Sequence, residues 1–204
     1  MKHYIIILFT ALSLILFGCS DSTSDDPDPV NGGMGEFSVN FGGDWSGNES
    51  TSFSAFTLFF DEDEPEVEVF YLFGSTSDFS EGDNGGDMQH GLTVGFYSIG
   101  GMISPGTYDI VDGQVIEESG NLTEVLSPDE FVVFIVRNDE QGFYSGFSQS
   151  GSITFDSVSE NSVSGSFGTE FEIYGFAGEV EVLDVTASGN FSSIFIPSDE
   201  APDL

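Results

Sequence analysis

Beyond residue 18 the chain holds one thiol (Cys19), one imidazole (His90) and one guanidinium (Arg137), against 36 carboxylates. The thiol has the most informative surroundings. Cys19 closes the run Leu16-Phe17-Gly18-Cys19, directly behind an apolar stretch that starts at Tyr4 and follows the basic residues Lys2 and His3. A membrane-spanning helix needs about 20 apolar residues. This stretch is shorter and has the form of a secretory segment with a basic start. The small Gly18 lets a peptidase approach the backbone closely. The chemistry expected is removal of residues 1–18 as a lipoprotein signal peptide, followed by acylation of Cys19. Each buried acyl CH₂ contributes about 0.8 kcal/mol, so several chains on one residue make an anchor close to permanent.

The carboxylates suggest a second chemistry. Asp78, Glu81, Asp83, Asn84 and Asp87 lie in one glycine-rich segment. Hard oxygen ligands on flexible backbone are what Ca²⁺ takes, although the spacing departs from the helix-flanked calcium loop. Ca²⁺ is the one cofactor the sequence brings to mind. Asp61–Glu64 is a weaker candidate and reads better as a charged hairpin tip. Trp45 sits among Gly42, Gly43, Asp44, Ser46 and Gly47, where an indole either stacks on a sugar ring as a ligand-binding residue or packs into the core.

No residue stands out as catalytic. The chain contains no Gly-x-Ser-x-Gly elbow and no phosphate loop with lysine. After processing it has neither a lysine nor an unlipidated cysteine to serve as nucleophile. His90 reads as structural, and Arg137 is expected to pair with Asp139 or Glu140. With acids this abundant, no carboxylate pair has meaning without a separation in space. The expectation is a protein that is not an enzyme.

The charge narrows the partners. All 36 acids lie after Cys19 and Arg137 is the only mature cation, which leaves a net charge of about −35. Nucleic acid and anionic lipid surfaces need clusters of Lys and Arg and are excluded as electrostatic partners. Glycans and cations remain, with the membrane reached through the lipid; the protein partner is unknown from sequence. Self-repulsion opposes compaction, and salt shortens its reach from ~10 Å at 0.1 M to ~3 Å at 1 M, so the composition fits a saline habitat. High charge alone would favour disorder, but 22 Phe, six Tyr and one Trp supply a core.

These residues must be placed by strands. Residues 19–35 form an acidic tether after the lipid. The sixteen from Ser20 to Gly35 would span ~20–24 Å as a random coil. Residues 36–196 read as one domain and 197–204 as an acidic tail. Alternation marks strands at Phe37–Phe41, Phe53–Phe60, Leu92–Ile99 and Thr107–Val111. Val67, Val69, Tyr71 and Phe73 line one face of a strand that returns from the second of these. Phe131–Val136 is an unbroken β-branched and aromatic run, which predicts a strand covered on both faces. Ser127-Pro128-Asp129-Glu130 before it has capping-box form and predicts at most one helical turn. Ile153 and Phe155 lead to a turn at Ser159-Glu160-Asn161. One parity then holds Val163, Gly165, Phe167, Thr169, Phe171 and Ile173. Val180 and Val182 alternate with acids, and Val185, Ala187, Gly189 and Phe191 continue the pattern. Nine to eleven short strands predict an all-β fold, an antiparallel β-sandwich with a closed barrel as the alternative.

Four strings occur in order: Gly106-Thr107-Tyr108, Gly151-Ser152-Ile153-Thr154-Phe155, Val163-Ser164-Gly165-Ser166-Phe167 and Val185-Thr186-Ala187-Ser188-Gly189-Asn190-Phe191. Their pattern resembles the carboxy-terminal half of small β-rich lipoproteins of bacteroidete-type bacteria, whose domains have no assigned function. The serine and aspartates after Cys19 resemble the export tag of surface lipoproteins in that group. The resemblance implies an outer-membrane lipoprotein facing outside the cell, and it carries over no catalytic or binding residue. The reading is a lipid-anchored, acidic, non-enzymatic surface domain, with a carbohydrate- or calcium-binding module for nutrient capture or adhesion as the alternative.

Overall fold

The structure is a computed structural model that describes residues 35–51, 53–60, 67–76, 91–115, 126–140, 142–177 and 179–197. The fold is all-β. Ten strands run in chain order: β1 Glu36–Gly43, β2 Gly47–Thr51, β3 Ser54–Phe60, β4 Glu68–Ser75, β5 Gly91–Ile99, β6 Gly106–Ile110, β7 Glu130–Asp139, β8 Gly142–Val158, β9 Ser162–Ala177 and β10 Glu179–Phe195. They form a single sheet in the order β2-β1-β10-β3-β4-β5-β7-β6-β8-β9, and further pairings join β10 to β9 and β7 to β8. The sheet therefore returns on itself, and one sheet supplies both walls of the core. All pairings are antiparallel except two short parallel ones, β10 with β3 and β6 with β7.

Two long strands organise the circuit by each changing neighbour along one edge. On β10, residues 185–192 pair with β1, and Ile194 and Phe195 then pair with β3. On β8, residues 142–147 pair with β7, and 151–155 then pair with β6. A fully buried serine sits at each handover. Ser193 meets Ser54 at 2.5 Å, and Ser54 donates to the Phe73 carbonyl. Ser148 donates to the Val111 carbonyl and accepts the Val133 N–H. A break in a ladder strands backbone groups that must find other partners, and these hydroxyls supply them. Bulges between Ser148 and Ser150 and between Phe155 and Ser157 let β8 bend at the splice.

The interior is aromatic. Phe96 of β5 meets Phe167 of β9 edge-on at 4.9 Å, and Phe70 of β4 meets Phe155 of β8 at 5.9 Å. Neither pair lies on adjacent strands, so these contacts cross the core. β4 is covered on both faces: Phe70 and Leu72 enter the main core, while Tyr71 and Phe73 join Ala55 and Phe134 in a second cluster on the opposite face. The single lined face expected for this strand is therefore only half of its burial. β7 is also buried on both faces from Phe131 to Ile135, as its apolar run predicted.

The segment before β7 is a turn rather than helix. The Glu130 N–H donates to the Ser127 carbonyl, and the Glu130 carboxylate accepts the Ser127 N–H. The reciprocal bond of a capping box thus closes a turn, because Phe131 enters the sheet at once. β2 was not anticipated, and β10 is one strand across its whole length. Val182 is 54% exposed: the inward parity is that of Val185 and Phe191, so the upstream valine faces out.

Candidate functional site

Trp45 follows β1 in the short link to β2 and belongs to the main core. The residue is 8% exposed. Phe41 and Tyr144 meet it edge-on at 5.4 and 5.6 Å, and the Arg137 guanidinium lies 5.0 Å from its centroid. Arg137 also pairs with Asp139 at 2.8 Å, one of the two partners named from sequence. Backbone bonds hold the loop: the Asp44 N–H donates to the Asp184 carbonyl, and the Asp44 carboxylate accepts the Asp184 N–H. Gly43 precedes it with φ +81°, and a Cβ there would stand 2.4 Å from the Asp184 oxygen. The indole is thus engaged by the protein's own side chains, which is the packing alternative of the sequence reading.

Cys19, the Ca²⁺ candidates Asp78, Glu81, Asp83, Asn84 and Asp87, the tip Asp61–Glu64 and His90 all lie outside the described residues. Among the described residues, no group of three or more His, Cys, Asp or Glu is placed to hold a metal ion, and no helix is long and apolar enough to cross a membrane.

Sequence reasoning missed the outer face of β6, β8, β9, β10, β1 and β2. In one row, Thr107, Thr154, Ser166, Asn190, Ser38 and Ser50 are cross-strand partners in succession. The next row runs Asp109, Ser152, Gly168, Ser188, Asn40, Asn48 by the same pairings. Eleven of these twelve positions carry no charge, in a chain with 36 acids. Six strands at ~4.8 Å spacing make the rows ~24 Å wide, and the rows stand ~6.7 Å apart. Beside them lies an open groove of about 330 Å³, lined among others by Ser150, Gly151, Gly168, Glu170, Thr186 and Ser188. Gly168 lies in its lining, and a Cβ built there would meet no atom within 4 Å. Ser150 donates to Glu170 at 3.2 Å.

Two residues further along β9, Glu172 accepts hydrogen bonds from Tyr174 and from Gln114, the latter at 2.6 Å. The Tyr174 hydroxyl first and the Gln114 amide second hold its carboxyl below the usual range, against a small opposing effect of burial. This half of the sheet therefore grades from neutral hydroxyl rows to an anionic end.

No protein-family model, curated protein or solved structure matches the chain.

Proposed function

We propose that the chain is a lipid-anchored, acidic, non-catalytic β-domain presented on the outer face of an outer membrane. The observation that carries this reading is the Leu16-Phe17-Gly18-Cys19 run behind a secretory apolar stretch. The first strand begins at Glu36, which leaves a polar stretch between lipid and fold with no apolar residues to bury over its first ten positions. Membership in the bacteroidete-type lipoprotein group belongs to the same proposal. Its four strings fall on β6, β8, β9 and β10, consecutive neighbours in the sheet, so they form one continuous surface.

The test is radiolabelled palmitate incorporation in cells, with membrane partitioning and external protease accessibility. Label should enter the native chain and be lost in Cys19→Ala, which should leave the membrane fraction. A Cys19→Ala chain that partitions as before refutes the anchor. A labelled chain that stays protected from external protease refutes the outward orientation.

A carbohydrate-binding role stands as the second reading. Trp45 is engaged within the protein, so the groove beside Gly168 is the surface that favours it.

A further inference from the structure

We infer that the outer face of β6, β8, β9, β10, β1 and β2 binds an uncharged polysaccharide, with one sugar unit seated in the groove over Gly168. The inference deepens the carbohydrate reading and does not depend on the lipid anchor. Three observations converge. The hydroxyl and amide rows run in register across six strands. They are almost free of charge on a chain whose formal net charge is −34. The groove lies beside them and is large enough for a small ligand, at about 330 Å³.

Charge selects the partner. A polyanion approaching this chain meets long-range repulsion, and a polycation would be drawn to the acid-rich surfaces instead. A neutral polyhydroxyl chain is indifferent to that field and can exchange hydrogen bonds with Ser, Thr and Asn side chains, each of which both donates and accepts. Glu170 at the groove wall adds a carboxylate, which accepts sugar hydroxyls more strongly than a neutral oxygen does. A rigid crystalline lattice is the other repeating polyhydroxyl surface. Neighbouring strands turn by ~20–25°, so six strands accumulate a twist of roughly 100°, and a flat crystal plane cannot follow it. A flexible chain can.

The experiment is native affinity electrophoresis of the full-length chain in detergent, through gels containing dextran, mannan, laminarin or xylan, with alginate as the anionic control. At least one neutral polymer should retard the chain and alginate should not. Gly168→Phe puts a ring into the groove from a position where an added Cβ meets no atom within 4 Å; it should raise the dissociation constant about tenfold or more at an unchanged unfolding midpoint. Glu170→Gln should weaken binding by a smaller factor. Trp45→Phe and Cys19→Ala should bind as the native chain does, which separates this site from both the indole and the anchor. Failure of all four neutral polymers to retard the native chain overturns the inference. So does retardation that survives Gly168→Phe, or retardation by alginate alone.

Discussion

Gly95 lies under the ring of its cross-strand partner Phe134. A Cβ added there would stand 2.0 Å from Cε1, 2.5 Å from Cζ and 2.9 Å from Cδ1 of that ring. Ordinary contact begins near 3.4 Å, so Gly95→Ala drives the ring outward by more than 1 Å. The ring has little room, because Tyr97 and Tyr71 lie at centroid distances of 5.5 and 6.3 Å. Overpacking of this kind costs about 1–3 kcal/mol, and we place Gly95→Ala near 2–3 kcal/mol. The three nearest obstructing atoms all belong to one side chain, so Phe134→Leu should relieve the clash. The double variant should then be more stable than the sum of its singles by about 1 kcal/mol or more.

Two comparators separate this from a general intolerance of alanine in strands. At Gly168 the added Cβ meets nothing, and Gly168→Ala should stay within about 0.5 kcal/mol of native. At Gly189 the obstruction is the Ser38 backbone oxygen at 1.9 Å, with Phe167 at 2.8 Å. Gly189→Ala should destabilise strongly, and truncating Phe167 should not rescue it. Urea unfolding followed by tryptophan fluorescence reads all of these. Equal midpoints for the Gly95 and Gly168 variants, or strict additivity in the Gly95/Phe134 cycle, would refute the packing argument.

Three further outcomes follow from the charge and the buried rings. The melting temperature should climb with NaCl between 0.1 and 1 M as screening shortens from ~10 to ~3 Å; each ~1 kcal/mol of relieved repulsion raises it by about 2–4 °C, and a flat profile would remove the salt-adapted reading. Arg137→Met should cost about 1–2 kcal/mol by losing the Asp139 pair and the contact over Trp45, whereas Arg137→Lys should retain part of it; a native-like Arg137→Met would show that the lone cation does not hold the loop. Burial pushes the Tyr97 phenol up to about 12, and Tyr71 is raised by burial first and by its neighbour Tyr97 second. Because the unfolded phenols ionise near 10.0, this stability is complete below that pH and is lost as pH rises towards 12. An alkaline titration should show two phenolate equivalents appearing only with unfolding, and their appearance in the folded protein would contradict it.

The strands that bury an apolar parity were legible in the sequence, because a two-residue period is a local signal. β2 was not, since Gly47-Asn48-Glu49-Ser50-Thr51 has no apolar residue to register. It exists only by pairing with β1 along one edge. Its inward position opposite Val39 is held by Glu49, and a charge pointing inward on an edge strand discourages a further strand from adding there. The exposed Val182 misled for another reason: alternation marks a strand but does not say which parity faces the core, and on β10 the inward parity is that of Val185, Ala187 and Phe191.

Two features that looked minor in the linear chain acquire meaning only from register. The near copies Ser164-Gly165-Ser166-Phe167 and Ser188-Gly189-Asn190-Phe191 lie on antiparallel neighbours, where Gly165 is the partner of Phe191 and Gly189 the partner of Phe167. Each ring closes over the bare backbone of the other copy: a Cβ on either glycine would stand 2.8 Å from that ring. The repetition is one packing solution used twice across a single strand pair. Ser166, Ser188 and Asn190 point the other way and become part of the hydroxyl rows. A slip of one residue would exchange the two sets, placing hydroxyls in the core and rings in water. The glycine–phenylalanine fit that fixes the inside therefore also fixes the outside, and polar residues that carry no signal in the linear chain become an ordered array assembled from segments as distant as Ser38 and Asn190.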